Sequence, residues 1–175
     1  ISPFGIWRPG HPKTVFGMDA FAEIYADARK WLNEGWADYF VPQLYWRTAA
    51  PQQPYDDLLE WWVDENEEAR HIIAGNAVYR VLAPGHQYAV NEIVEQIRRT
   101  RAQRGAAGNI HFSGNAFVRN RGGLVDSLAM QSYYYDALVP PTPWLDDDAP
   151  PAPALRMEAH PLLREFRQGV DRGEV

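Results

Sequence analysis

Four short runs rich in apolar, aromatic and β-branched residues, at 1–7, 36–46, 71–79 and 109–114, are each followed by a stretch with helical apolar spacing. The helical stripes are Phe21, Ile24, Tyr25, Ala28 and Leu32; then Tyr55, Leu58, Leu59 and Trp62; then Val90, Ile93, Val94 and Ile97; then Leu124, Val125 and Leu128. Asp19 stands at an N-cap position and Gly35 at a C-cap position of the first helix, and the third ends near Gly105. Strands alternating with helices of about 10–18 residues imply a parallel sheet with right-handed crossovers, an α/β fold. No sequence-level repeat accompanies the alternation.

The bulk properties narrow the function classes. At 175 residues, 46% of them hydrophobic and 13% aromatic, the chain can build one sizeable core. A net charge of −6, with pI near 5.3, supplies no basic footprint for nucleic acid or an anionic membrane. Without cysteine there are no disulfides, thiolate metal sites or cysteine nucleophiles, and the compartment stays open. No run of about 18 apolar residues suggests a membrane span. The chain opens at Ile1, directly on strand-like residues, which suggests a piece of something longer.

The run at 36–46 carries the densest chemistry. It begins after Gly35 and closes on Gln43, Tyr45 and Trp46, an amide, a phenol and an indole at one strand terminus. In parallel α/β sheets the carboxyl ends of strands hold the ligand, and aromatic faces with polar tips suit sugar rings. The plainer alternative is a core strand ending beneath a loop. Strand periodicity places Tyr39, Val41, Gln43 and Tyr45 on one face, and Ile72, Ala74, Asn76 and Val78 on one face. It sets Asn109, His111 and Ser113 opposite Ile110 and Phe112. If helices cover the outer face, Gln43, Tyr45, Asn76, His111 and Ser113 point inward or upward as a ligand floor. His111 alone reads as a satisfied buried imidazole.

Several chemistries lack their residues. The histidines at 11, 71, 86, 111 and 160 show no metal-ligand spacing, so no metal or cofactor is expected. Gly105 to Gly108 follows a helix and precedes a strand, the wrong order for a phosphate loop, and Ser113-Gly114 lacks the rest of a nucleophile elbow. Asp56, Asp57, Glu60, Asp64, Glu65, Glu67 and Glu68 read as a solvated helix face, and Asp38 sits at a strand entry. No Asp or Glu stands at the exit of any expected strand. Glycoside hydrolysis ordinarily needs two carboxyl groups flanking the bond, so this chain does not supply that pair.

The segments 1–8 (ISPFGIWR), 25–32 (YADARKWL), 35–46 (GWADYFVPQLYW), 58–62 (LLEWW), 108–113 (GNIHFS) and 137–145 (ALVPPTPWL) together resemble the family-10-like glycosyl hydrolases. These are bacterial extracytoplasmic proteins, many of them lipoproteins. The resemblance implies a TIM-type (β/α)8 barrel of which this chain is the second half, strands five to eight. It implies that residues 1–136 form that half barrel, and that 137–154 is a Pro-rich linker. Residues 155–175 are a tail in which Leu162, Leu163 and Phe166 suggest a short helix. Carried over by position, Trp7, Arg8, Gln43, Tyr45, Trp46, Asn76 and Ser113 line the glycan cleft. An acid-rich strand-end motif found upstream in relatives is absent here.

The expectation is therefore a fragment of a glycosidase of the bacterial envelope, acting on peptidoglycan-type glycans and contributing substrate-binding residues. Its rival is a non-catalytic glycan-binding or scaffold protein on a barrel fold. An unrelated intracellular α/β enzyme is a third and weaker reading. A half barrel leaves two open edges and an apolar interior, which predicts self-association or pairing with a missing N-terminal half.

Overall fold

The structure, a computed structural model, describes residues 1–86, 88–146 and 148. It divides into a unit Ile1–Thr142 and a unit Pro143–Val175. The expected helix within 155–175, and the part of the linker from 149 on, lie outside the described residues. In the second unit the Asp148 amide donates to Asp146 Oδ1 at 2.8 Å. All further architecture belongs to the first unit.

Its centre is a three-stranded parallel sheet of β1 (Tyr39–Phe40), β2 (His71–Asn76) and β3 (Ala106–His111), in that order. Tyr39 pairs with His71 and Asn76 with His111, with one register irregularity between Ile72 and Ile73. The chain is thus a mixed α/β protein built on a small parallel sheet. The first expected strand runs parallel beside β1 without becoming a regular strand. The Val41 amide donates to Ile1 O and the Gln43 amide to Pro3 O, with a single bridge from Phe4 to Gln43. Pro3 has no N–H to give the ladder.

The run at 36–46 also pairs over a shorter length than expected. Pro42 interrupts β1, the Leu44 amide turns back onto Pro42 O at 2.9 Å, and Gln43 then bridges Phe4 on one side and Gly75 on the other. Two glycines permit that convergence. A Cβ on Gly5 would stand 2.4 Å from Gln43 O, and one on Gly75 would stand 2.8 Å from Pro42 O.

The first expected helix is two helices, α1 (Ala20–Glu23) and α2 (Ala28–Asn33). Asp19 caps α1 by accepting from the Ala22 amide, and Asp27 caps α2 by accepting from the Lys30 amide. Tyr25, at φ 54°, makes the break between them. Gly35, at φ 65°, ends α2 as its position predicts. The other three stripes match α3 (Tyr55–Asp64), α4 (Val90–Ala102) and the later helix α6 (Leu124–Gln131), and a short α5 (Asn115–Val118) that no stripe announced precedes the last. β3 begins at Ala106, earlier than the expected 109, and β2 stops at Asn76, where Val78–Arg80 form a 3-10 turn.

Helices cover one face of the sheet. Phe40, Leu44, Ile72 and Ala74 pack with Leu32, Tyr55, Leu58, Leu59 and Trp62, all nearly or fully buried, and Trp62 Nε1 donates to Gly5 O at 2.9 Å. Each such large side chain, fully buried, stabilises by roughly 1.5–3 kcal/mol. A second cluster joins Val78, Val81, Tyr88, Ile93, Ile97, Leu124 and Leu128. On the opposite face Tyr39, Ile110 and Phe112 remain 47%, 42% and 57% exposed, so that face of the sheet is open. Among the described residues no helix is long and apolar enough to cross a membrane.

Candidate functional site

Two loops that leave the carboxyl ends of neighbouring parallel strands meet over the sheet. The loop after β1 supplies Tyr45, Trp46, Arg47 and Ala50; the loop after β2 supplies Tyr79, Arg80, Gly85, His86 and Tyr88. Between them lies a recess of about 290 Å³ lined by Trp46, Arg47, Ala50, Arg80, Gly85, His86 and Tyr88. Beside it, on the open face, Tyr39, Val41, Tyr45, Ile110 and Phe112 help to line a second recess of about 260 Å³. The Tyr45 ring joins the two. It stacks on Phe112 at 6.3 Å and meets Tyr79 edge-on at 6.2 Å.

Arg80 fastens the two loops. Its Nη1 donates to Tyr45 O, its Nε donates to Tyr79 Oη at 2.9 Å, and its guanidinium lies 6.0 Å from the Tyr88 ring centroid. Tyr88 Oη donates to the same Tyr45 carbonyl at 2.9 Å. Burial pushes the Tyr88 phenol up to about 12, with Arg80 pulling the other way. Burial also raises Tyr45, with Tyr79 adding to the rise and Arg80 opposing it. Both phenols therefore keep their protons at neutral pH. The rim combines flat rings, neutral hydroxyls and a cation, a set that binds a polar ring and moves no proton by itself.

The residues expected to share one cleft are divided by the structure. Tyr45 and Trp46 stand at the carboxyl rim. Trp46 also leans edge-on against Phe4 at 5.7 Å. Gln43 spends its amide on Ser2 O at 3.0 Å. Trp7 and Arg8 belong to the neighbourhood of α1 and α2: Trp7 stacks on Trp61 at 5.8 Å and donates to Asp27 at 3.0 Å. Arg8 pairs with Asp19 at 3.2 Å and covers the Phe21 ring. Ser113 follows β3 and accepts the Ala116 amide through its backbone carbonyl.

The expected inward floor of Asn76, His111 and Ser113 needs correcting at Asn76. Asn76 is completely buried on the helix side, donating to Tyr55 Oη at 3.1 Å and to Gln96 Oε1 at 2.9 Å. Asn109 turns the same way, to Asn76 Oδ1 and Thr100 Oγ1, whereas His111 sets its ring against Phe117 and Tyr133 and is among the residues lining the open-face recess. The open face of β3 is Ile110 and its continuation Phe112. Alternation fixes which residues share a face but not which face the helices cover, and polar partners on α3 and α4 here reverse the intuitive choice.

Sequence reasoning missed Tyr79, Arg80, Tyr88, Phe112 and Glu92. Tyr79 closes the expected strand 71–79 and Arg80 follows it, whereas β2 stops at Asn76 and releases both into the rim. Glu92 stands in the first turn of α4 and reaches the loop after β1, where it accepts from the Thr48 amide at 2.7 Å and from Gln96 Nε2 at 2.9 Å. Its spacing of four from Gln96 on one helix face was the available signal. Among the described residues no three His, Asp or Glu side chains are grouped to hold a metal ion.

The fold is a parallel α/β sheet, helix-covered on one face and carrying an aromatic, cationic rim at its carboxyl edge, where α/β proteins generally place their ligands. Residues 1–93 match the family model described as glycosyl hydrolase-like 10. The match takes in the loops that form the recess, and the chain belongs to that family. It is 37% identical over 164 residues to Glycosyl hydrolase YngK of Bacillus subtilis strain 168, covering 89% of this chain and 32% of that protein. It is also 37% identical over 90 residues to Glycosyl hydrolase DigH of Escherichia coli K12, covering 48% of this chain and 20% of that protein. The chain thus spans a third or less of the length of these relatives.

Proposed function

We propose that this chain is the second half, strands five to eight, of a (β/α)8-barrel glycosidase that acts on peptidoglycan-type glycans of the bacterial envelope. The observation that carries the reading is the recess built by two strand-end loops inside the region that matches the glycosyl hydrolase-like family. Four chain segments run parallel, and the face opposite the helices exposes Tyr39, Ile110 and Phe112, as an interior awaiting the other strands of a ring would. A second copy is the other candidate cover. The working location is outside the cytoplasm, with a lipoprotein anchor on the complete protein.

In this reading Tyr45, Trp46 and Phe112 contact sugar faces while Arg80 and the phenols bond polar substituents. The carboxylates for proton transfer come from the rest of the barrel, because Glu92, the acid that reaches the rim, is already taken by Thr48 and Gln96. That same occupation favours a second reading, a non-catalytic glycan binder on the same fold. Release of new reducing ends from purified wall glycan by the full-length protein decides between them. Release supports the hydrolase, retention of glycan without cleavage supports the binder, and neither outcome on wall glycan rejects the substrate.

A further inference from the structure

The recess between the two loops is opposite in charge to the chain as a whole. The chain carries a net charge of −6, yet this recess is lined by Arg47 and Arg80 and by no carboxylate. Arg80 donates from Nε to Tyr79 Oη and from Nη1 to Tyr45 O, and its guanidinium lies against the Tyr88 ring. Arg47 is exposed, and its side chain makes no hydrogen bond or ion pair among the described residues. Its neighbour Trp46, with Tyr88, supplies apolar wall. The exposed Arg47 guanidinium, in one recess with the Trp46 and Tyr88 rings, fits a flat, two-oxygen anion attached to a ring.

We infer that Arg47 and Arg80 form a subsite for the carboxylate of an acidic sugar unit, with Trp46 and Tyr88 against its ring. The inference rests on the glycan reading above and adds the substrate's charge to it. A neutral sugar would leave both cations of the recess lining without an anion beside them. A carboxylate seated there offsets their charge. The carboxylate can sit on the ring itself, as in a uronic acid, or on an ether substituent, as in a lactyl sugar.

Calorimetric titration of the full-length protein with chitotetraose, hyaluronan tetrasaccharide, a tetrasaccharide of alternating N-acetylglucosamine and N-acetylmuramic acid, and the carboxyl-reduced form of each acid tests the subsite. At least one acid should bind about tenfold or more tightly than its own reduced form, and which one does so identifies the carboxylate's source. Arg47→Gln should shrink that ratio to within about threefold, whereas Arg98→Gln, on the outer side of α4, should leave it intact. Arg80→Gln also releases Tyr45 and Tyr79, so Arg47→Gln decides. Equal affinity for acid and reduced forms, with chitotetraose still bound, overturns the carboxylate subsite and spares the glycan reading. Absence of binding by every tetrasaccharide overturns both.

Discussion

Asn76 Nδ2 donates to Gln96 Oε1 at 2.9 Å, and both side chains are completely shielded from solvent. The pair is the midpoint of a polar chain that crosses the helix layer. Asn109 donates into Asn76, while Gln96 Nε2 donates to Trp46 O at 3.1 Å and to Glu92, which in turn holds Thr48. An interior network therefore fixes the backbone of the loop that carries the rim aromatics. Buried polar groups persist when each finds a partner, and here the partners come from β2, β3, α3 and α4 together.

Asn76→Ala removes one member and strands several others. Gln96 Oε1 loses its donor from Asn76 and the Asn109 amide loses an acceptor, each at a cost of about 1–3 kcal/mol. The expected total is a loss of roughly 2–4 kcal/mol, read as a lower urea midpoint at unchanged slope. Gln96→Leu should cost a similar amount, and the double variant less than the sum, because the two side chains share one interaction.

Gly5→Ala tests the close approach at the first segment. The added methyl would meet Gln43 O at 2.4 Å, a backbone atom that cannot move aside without shifting the Phe4–Gln43 bridge. Such overpacking costs about 1–3 kcal/mol or more. Gly10→Ala adds a methyl to open space and serves as a comparison in which only its φ of 78° opposes the substitution. Thermal melts of the two variants should differ, with Gly5→Ala the lower.

The elements were legible where one unbroken apolar stripe makes one helix. The stripe Tyr55, Leu58, Leu59, Trp62 gave α3, and Val90, Ile93, Ile97 gave α4, since each needs only local periodicity. The first helix was not, because Asp27 offers a second cap inside an apparently continuous stripe. The rim was half legible. Tyr45 and Trp46 follow from their place at a strand exit, but Arg80 and Tyr88 become visible only once β2 is known to stop at Asn76. The inward floor failed at Asn76 for a different reason. A polar residue in a strand has no preferred face until its partners are known, and those of Asn76 come from Tyr55 and Gln96, far away in sequence.

His111 makes folding sensitive to mild acid. Burial pushes its pKa down to about 4 from the ordinary 6.5, and Nε2 lies 2.7 Å from Tyr133 Oη. The folded chain thus holds the imidazole neutral while the unfolded chain takes up a proton first. Stability is full above pH 6.5 and falls as pH drops from there towards 4, with a limiting slope of about 1.4 kcal/mol per pH unit for one proton. Glu95, held down to about 2 by hydrogen bonds from Arg98 and Arg99, contributes its own loss only below its ordinary 4.5. Urea titrations between those limits should therefore show the slope in the native protein and a flatter line in His111→Gln. Parallel lines would assign the acid sensitivity elsewhere.

Tyr45→Ala separates the rim's side chain from the rim's scaffold. The contacts that hold this loop, from Arg80 Nη1 and Tyr88 Oη to the Tyr45 carbonyl, from Gln96 Nε2 to Trp46 O and between Thr48 and Glu92, involve no atom of the Tyr45 side chain, so alanine retains them. What disappears is the ring stacked on Phe112 and set against Tyr79. A sugar face resting on that ring would lose an aromatic contact worth about 1–2 kcal/mol, so chitotetraose should bind roughly 5–30-fold more weakly. Tyr45→Phe keeps the face and removes only a hydroxyl, and should stay within about threefold of the native affinity. If alanine and phenylalanine weaken binding equally, the phenol rather than the ring makes the contact. If neither changes it while the circular dichroism stays native, the sugar does not touch Tyr45 and the rim is packing alone.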